Sequence, residues 1–129
     1  MWTSVIENPE AIRSIFAEEP SLTSVRLMKF ELSEDGPTAN LSLALADYPS
    51  SPPSRWARVG ANAVTLVLQL MGLSGVSLNG WGTENPVSCE LRRQTSDECV
   101  ITVQGATITL NAVCRAVRVA HVEGYKRIA

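Results

Sequence analysis

Between Ser24 and Val122 apolar and polar residues alternate through most of the chain, with turn residues separating the runs. Arg26–Leu32 reads as a first strand, and Glu34-Asp35-Gly36-Pro37 as the turn after it. In the next run Leu41, Leu43 and Leu45 point one way, while Asn40, Ser42 and Ala44 point the other. Successive side chains of a strand face opposite sides, so this pattern predicts half-buried strands of an antiparallel sheet. Asp35-Gly36 favours a hairpin, provided Pro37 lies where no ladder N–H is needed. Val64, Leu66, Leu68 and Leu70 repeat the alternation, and Val76 and Leu78 follow a Gly-Leu-Ser-Gly turn before Gly80-Trp81-Gly82 breaks the run. Val87, Cys89 and Leu91 form another set, then Cys99, Ile101 and Val103, then Ile108 and Leu110 beyond a Gln104-Gly105 turn. Arg115 to Val122 supplies a last strand. The total is about eight short strands, at spacings typical of a sandwich or a strongly bent meander.

One segment has a helical period. Asn8-Pro9-Glu10 is a helix start, because Asn accepts bonds from first-turn amides, Pro is preorganised at the first helical position, and Glu suits the positive dipole end. Ile12, Ile15 and Phe16 then make one apolar stripe, and Glu18-Glu19-Pro20 ends it. The spacing predicts a helix over 9–18 that needs a sheet to lie on. The fold class is therefore α+β, mainly β: a short N-terminal helix on a bent antiparallel sheet or sandwich, with strands over 24–122. Tyr48 to Arg58 (YPSSPPSRWAR) is expected to be an ordered, extended crossing, because proline fixes φ. Neither flank of it holds enough strands to close a core alone, so 1–129 is read as a single domain.

Composition narrows the function classes. A chain of 129 residues with 45 % apolar and 19 % charged residues can build a core without disulfide or metal staples. Only 5 % of residues are aromatic, so Leu, Val, Ile and Ala must fill that core. The net charge of −2, without runs of like charge, points to neither nucleic acid nor a membrane surface. Residues 1–47 hold eight acids against three bases, which hints at an acidic N-terminal surface. The start of the chain lacks a basic region followed by a long apolar one, and the greasy stretch Ala63–Leu73 is too short to span a bilayer. A cytoplasmic location is expected.

The chemistry-bearing motifs are near-misses. Gly72-Leu73-Ser74-Gly75 lacks the spacing of a nucleophile elbow and precedes a strand, not a helix. Neither a phosphate-binding loop nor a dinucleotide fingerprint occurs. Three cysteines without a CxxC, and one histidine, leave zinc too few ligands at recognisable spacing. Cys89 and Cys99 fall on the apolar sides of their strands and read as structural thiols. Cys114 and His121, if on one strand, point to opposite faces. Glu31 and Glu90 read as solvated charges. No catalytic residue, cofactor or metal is expected. For Trp2, Trp56 and Trp81, packing is the simpler role, although Trp81 between two glycines could also be an exposed binding residue.

The landmarks together resemble the immunity protein 50 family. Trp2, Asn8, Phe16, Pro20-Ser21-Leu22 and Asp35-Gly36-Pro37 match its N-terminal half. Pro52-Pro53-Ser54-Arg55-Trp56, the strand after it, Cys114 and Tyr125 extend the likeness over nearly the whole chain. The resemblance implies a non-catalytic bacterial protein that binds and neutralises a cognate toxin domain of a polymorphic toxin system. It supplies no inhibitory residues. The expected partner-binding residues are therefore read from charge and aromaticity: Glu7, Glu10, Glu18 and Glu19 on the acidic surface, or Trp56 and Trp81 on loops. A competing class is a small-ligand-binding β domain, or an unrecognised enzyme, with a cavity in the sheet.

Overall fold

The computed structural model describes residues 1–128. Eight antiparallel strands form it: β1 (Val25–Ser33), β2 (Thr38–Ala44), β3 (Ala63–Met71), β4 (Gly75–Asn79), β5 (Pro86–Thr95), β6 (Glu98–Gly105), β7 (Thr109–Cys114) and β8 (Ala116–Tyr125). They make one sheet in the order β4-β7-β6-β5-β1-β2-β3-β8. The α+β, mainly β reading therefore holds, with the strands in one continuous sheet.

The order shows how the sheet is folded. Pairing of β3 with β8 ends at Met71–Ala116, and pairing of β4 with β7 resumes at Gly75–Val113. The two segments 63–79 and 109–125 are thus one long antiparallel ribbon, bent at Gly72–Ser74 and at Arg115. Gly72 takes φ +66, and a β-carbon there would lie 2.7 Å from the Arg115 side chain, so the corner needs glycine. On the other side the two halves of the sheet meet through the short Val25–Val87 and Arg26–Pro86 ladder, with Leu27 N–H to Asn85 O and Cys89 N–H to Leu22 O flanking it.

The alternation lays out the core as the sequence predicts. Val64, Leu66, Leu68 and Leu70 are fully buried, and so are Leu41, Leu43, Ile101, Val103, Leu110, Ala112 and Val117. Residues from all strands except the edge strand β4 join one hydrophobic cluster, because the bent sheet turns a single apolar face onto itself. On β4, Val76 and Leu78 lie opposite Ala112 and Leu110 yet remain exposed, beyond the last covering strand.

The segments outside the sheet depart from expectation. The helix predicted over 9–18 is only α1, Glu10–Arg13. One further helical bond, from Phe16 N–H to Ile12 O at 2.9 Å, carries Phe16 into the core, and the chain then returns to the N-terminus. There Trp2 Nε1 donates to Pro20 O at 2.8 Å, and the Thr3 N–H donates to Glu19 Oε1 at 2.9 Å. Asn8 does not cap the helix with its side chain, which bonds to β8 instead. The crossing over 48–58 is not extended throughout, since Ser54–Arg58 forms the one-turn helix α2. Pro53 is extended and precedes the turn, while Gly60 at φ +65 closes it. The Gly60 and Ala61 amides bond to Ala57 O and Trp56 O, a glycine-terminated helix end that also brings Trp56 inward.

Candidate functional site

A group of hollows lies at one end of the sheet, along the segment leaving β2, and another of about 420 Å³ lies apart from it at Leu32, Leu73 and Val76. Residues 44–50 run beneath three adjoining hollows. One, of about 430 Å³, is lined by Glu18, Glu19, Pro20, Asp47 and Tyr48. A second, of about 390 Å³, shares Asp47 and Tyr48 and adds Asn62 and Arg127. The third, of about 430 Å³, shares Leu45, Ala46 and Arg127 and reaches Val25, Arg26 and Pro86. The floor is held by main-chain bonds and fixed side chains. Leu45 N donates to Val64 O at 3.0 Å, Asp47 accepts from Ser21 N at 2.7 Å, and Tyr48 Oη donates to Ala61 O at 3.1 Å. Pro49 is buried, and the Tyr48 ring is tilted against Trp56 at 6.0 Å between centroids.

A loop over 80–85 lies beside this end. Gly80, at φ +80, approaches so closely that a β-carbon would lie 1.7 Å from Thr107 O. The buried Asn85 pins the same loop: it accepts from Gly82 N at 2.9 Å and donates to Gly82 O at 3.2 Å. Its own carbonyl receives the Leu27 N–H at 2.8 Å. Trp81, 50 % exposed, therefore projects from a fixed backbone. A large aromatic held in water by a rigid loop is suited to contact a partner at low entropic cost.

The residues expected at a partner surface are not one patch. Glu18 and Glu19 share a hollow, but Glu19 is half-buried and turned to Thr3, which leaves Glu18 as the outward acid. Glu10 is exposed on α1, and Glu7 is exposed at the edge of β8, where its N–H donates to Val117 O. Trp56 is buried in the free protein, 1 % exposed, and packs where a β-carbon on Gly124 would lie 2.5 Å from its ring. Its Nε1 is buried without a hydrogen-bond partner. Sequence reasoning missed Asp47, Tyr48, Asn85 and Arg127. Asp47, Tyr48 and Arg127 bond to partners far along the chain, and Asn85 to both the nearby Gly82 and the distant Leu27, so no recognised motif marks them.

No nucleophilic pair is assembled. Cys114 is buried at the end of β7, whereas His121 is exposed on the opposite face of β8. Two irregularities lie between them and cancel. The corner at Arg115 flips the alternation once, and the bulge that leaves Ala120 out of the β3–β8 ladder flips it again. Burial pushes the Cys89 and Cys114 thiols up to about 12, with Glu90 adding to the first and Cys99 to the second. Cys99 is also raised by burial. Thiols held protonated in this way are poor nucleophiles and poor metal ligands. Among the described residues no group of three His, Cys, Asp or Glu is placed to hold a metal ion. None is in a helix long and apolar enough to cross a membrane. The three hollows open onto the surface, and neither His121 nor Cys114 lines them.

These elements amount to a β-rich scaffold carrying a fixed aromatic loop and a polar groove. The family model described as Immunity protein 50 matches residues 8–125, nearly the whole chain, and the chain belongs to that family. No curated protein and no solved structure matches it.

Proposed function

We propose that this chain, as one folding unit in the bacterial cytoplasm, binds the toxin domain encoded beside it and neutralises that domain without catalysis. The observation that carries this reading is family membership over residues 8–125. The groove along 44–50 and the pinned Trp81 loop support it as a surface for a folded partner. A standard interface takes roughly 800 Å² from each side and centres on a few aromatic or Arg residues. Trp81 and Glu18 are the expected contacts among the residues read from sequence; Glu7 and Glu10 do not line the groove.

The deciding experiment is co-expression of the adjacent toxin domain with and without this protein, followed by co-purification of the pair. Survival together with a stable complex is the expected result. Cells that die equally fast in both cases overturn the reading.

A further inference from the structure

A hollow lies over the seam between the two halves of the sheet, where β1 meets β5. The ladder there is short, Val25–Val87 and Arg26–Pro86, and it is flanked by Leu27 N–H to Asn85 O at 2.8 Å and Cys89 N–H to Leu22 O at 2.7 Å. The space, about 430 Å³, has Val25, Leu45, Pro86 and Val87 as apolar walls, with Arg26 and Arg127 also lining it. Arg26 is half-buried. Its Nη2 donates to the neutral Tyr125 hydroxyl at 3.3 Å, and among the described residues no carboxylate lies within ion-pair distance of it.

Arg127 is fixed from behind. Its N–H donates to Asn62 Oδ1 at 2.7 Å, and its carbonyl accepts from Asn62 Nδ2 at 3.1 Å. Its guanidinium meets Glu84 at a single contact of 3.7 Å, with both side chains largely in water. An exposed pair of that kind contributes little and is easily exchanged. Asp47, on the adjoining hollow, is already committed to Ser21 N. A partly desolvated guanidinium with only a neutral acceptor favours an incoming anion, and the favourable geometry is two-pronged.

We propose that this hollow is a receptor for one Asp or Glu side chain of the partner, its carboxylate bonded by Arg26 and Arg127 and its methylene stem against Leu45, Pro86 and Val87. The proposal rests on the toxin-binding reading and assigns that reading a specific contact. The walls favour a carboxylate on an aliphatic stem, which is why the source is a protein side chain.

The test is binding of the adjacent toxin domain, measured by calorimetry, to wild type and to Arg26→Gln, Arg127→Gln, the double variant and Arg26→Lys. Thermal melting of each variant confirms folding, and Arg127→Gln alters only an exposed side chain. Each Gln variant is expected to weaken binding roughly tenfold or more, with the double variant losing less than the product of the two. Arg26→Lys is expected to recover part of the loss, and one acid-to-amide change on the toxin is expected to couple to Arg26. Wild-type affinity in the folded double variant overturns the carboxylate site while leaving the toxin-binding reading intact. A wild-type protein that does not bind the toxin overturns both.

Discussion

The Asn8 carboxamide pairs with the main chain of Val119 as a neighbouring strand would. Asn8 Nδ2 donates to Val119 O at 3.0 Å, and the Val119 N–H donates to Asn8 Oδ1 at 2.8 Å. With Glu7 N bonded to Val117 O at 2.8 Å, these contacts cover the free edge of β8. An uncovered edge exposes unpaired amides and carbonyls to other chains. Replacing Asn8 by Ala removes both bonds at once and is expected to cost about 1–3 kcal/mol. Urea denaturation measures this as a lower midpoint, and a midpoint equal to wild type would show that the edge closure is not structural.

Trp56 and Gly124 form a second relationship of the same kind. The indole is buried and the Gly124 Cα lies against its ring. Gly124→Ala is expected to destabilise the fold by about 1–3 kcal/mol through overpacking. Gly75→Ala, where nothing lies within 4 Å of the added carbon, should stay within about 0.5 kcal/mol of wild type. Equal melting temperatures for the two variants contradict this account.

The neighbouring acids Glu18 and Glu19 are expected to separate cleanly on mutation. Glu19→Ala leaves the Thr3 amide without its acceptor and should cost about 1–3 kcal/mol. Glu18→Ala changes an exposed side chain and should leave stability within about 0.5 kcal/mol. If Glu18 meets the partner, its variant instead slows association with the toxin, and more so at low salt. Stopped-flow binding at two ionic strengths provides the measurement.

Trp81→Ala should lower thermal stability only modestly, since half of the side chain is already in water. Toxin affinity is expected to fall by roughly tenfold or more, the behaviour of an aromatic at an interface centre. Acrylamide should quench Trp81 emission in the free protein, and the complex should protect it. Undiminished quenching in the complex removes Trp81 from the interface.

The thiols make stability depend on alkaline pH. Burial raises Cys89 and Cys114 from the ordinary value of 9.0 to about 12. The folded state therefore holds these protons more tightly than the unfolded chain does. Their contribution is fully present below pH 9 and is lost as the pH rises towards 12, at up to about 1.4 kcal/mol per pH unit for each thiol. Denaturation midpoints at pH 8, 9.5 and 10.5 should fall in that order, with Cys89→Ala and Cys114→Ala reducing the slope. Native protein at pH 8 should also resist iodoacetamide, whereas protein in denaturant should react rapidly.

Alternation by itself determined most of the strands and their inward residues, the exposed Val76 and Leu78 of β4 excepted. Leu66, Leu68 and Leu70 are buried because a period of two places them on one face, whichever strands lie beside them. The Asp35-Gly36 turn was equally legible, since Gly36 takes φ +116 between β1 and β2. Cys114 and His121 lie on two strands, β7 and β8, so the one-strand condition on which alternation would separate them does not apply.

Only the tertiary structure decided which strands are neighbours and where the ends of the chain attach. A period of two says which face is buried but carries no address for a partner strand. Asn8 left its helix because β8 offered an unpaired edge, Trp56 went inside because Gly124 made room, and Trp81 stayed outside because Asn85 and Gly80 fixed its loop. Arg26 and Arg127 share a hollow for the same reason: folding brought together two cations that no local pattern connects.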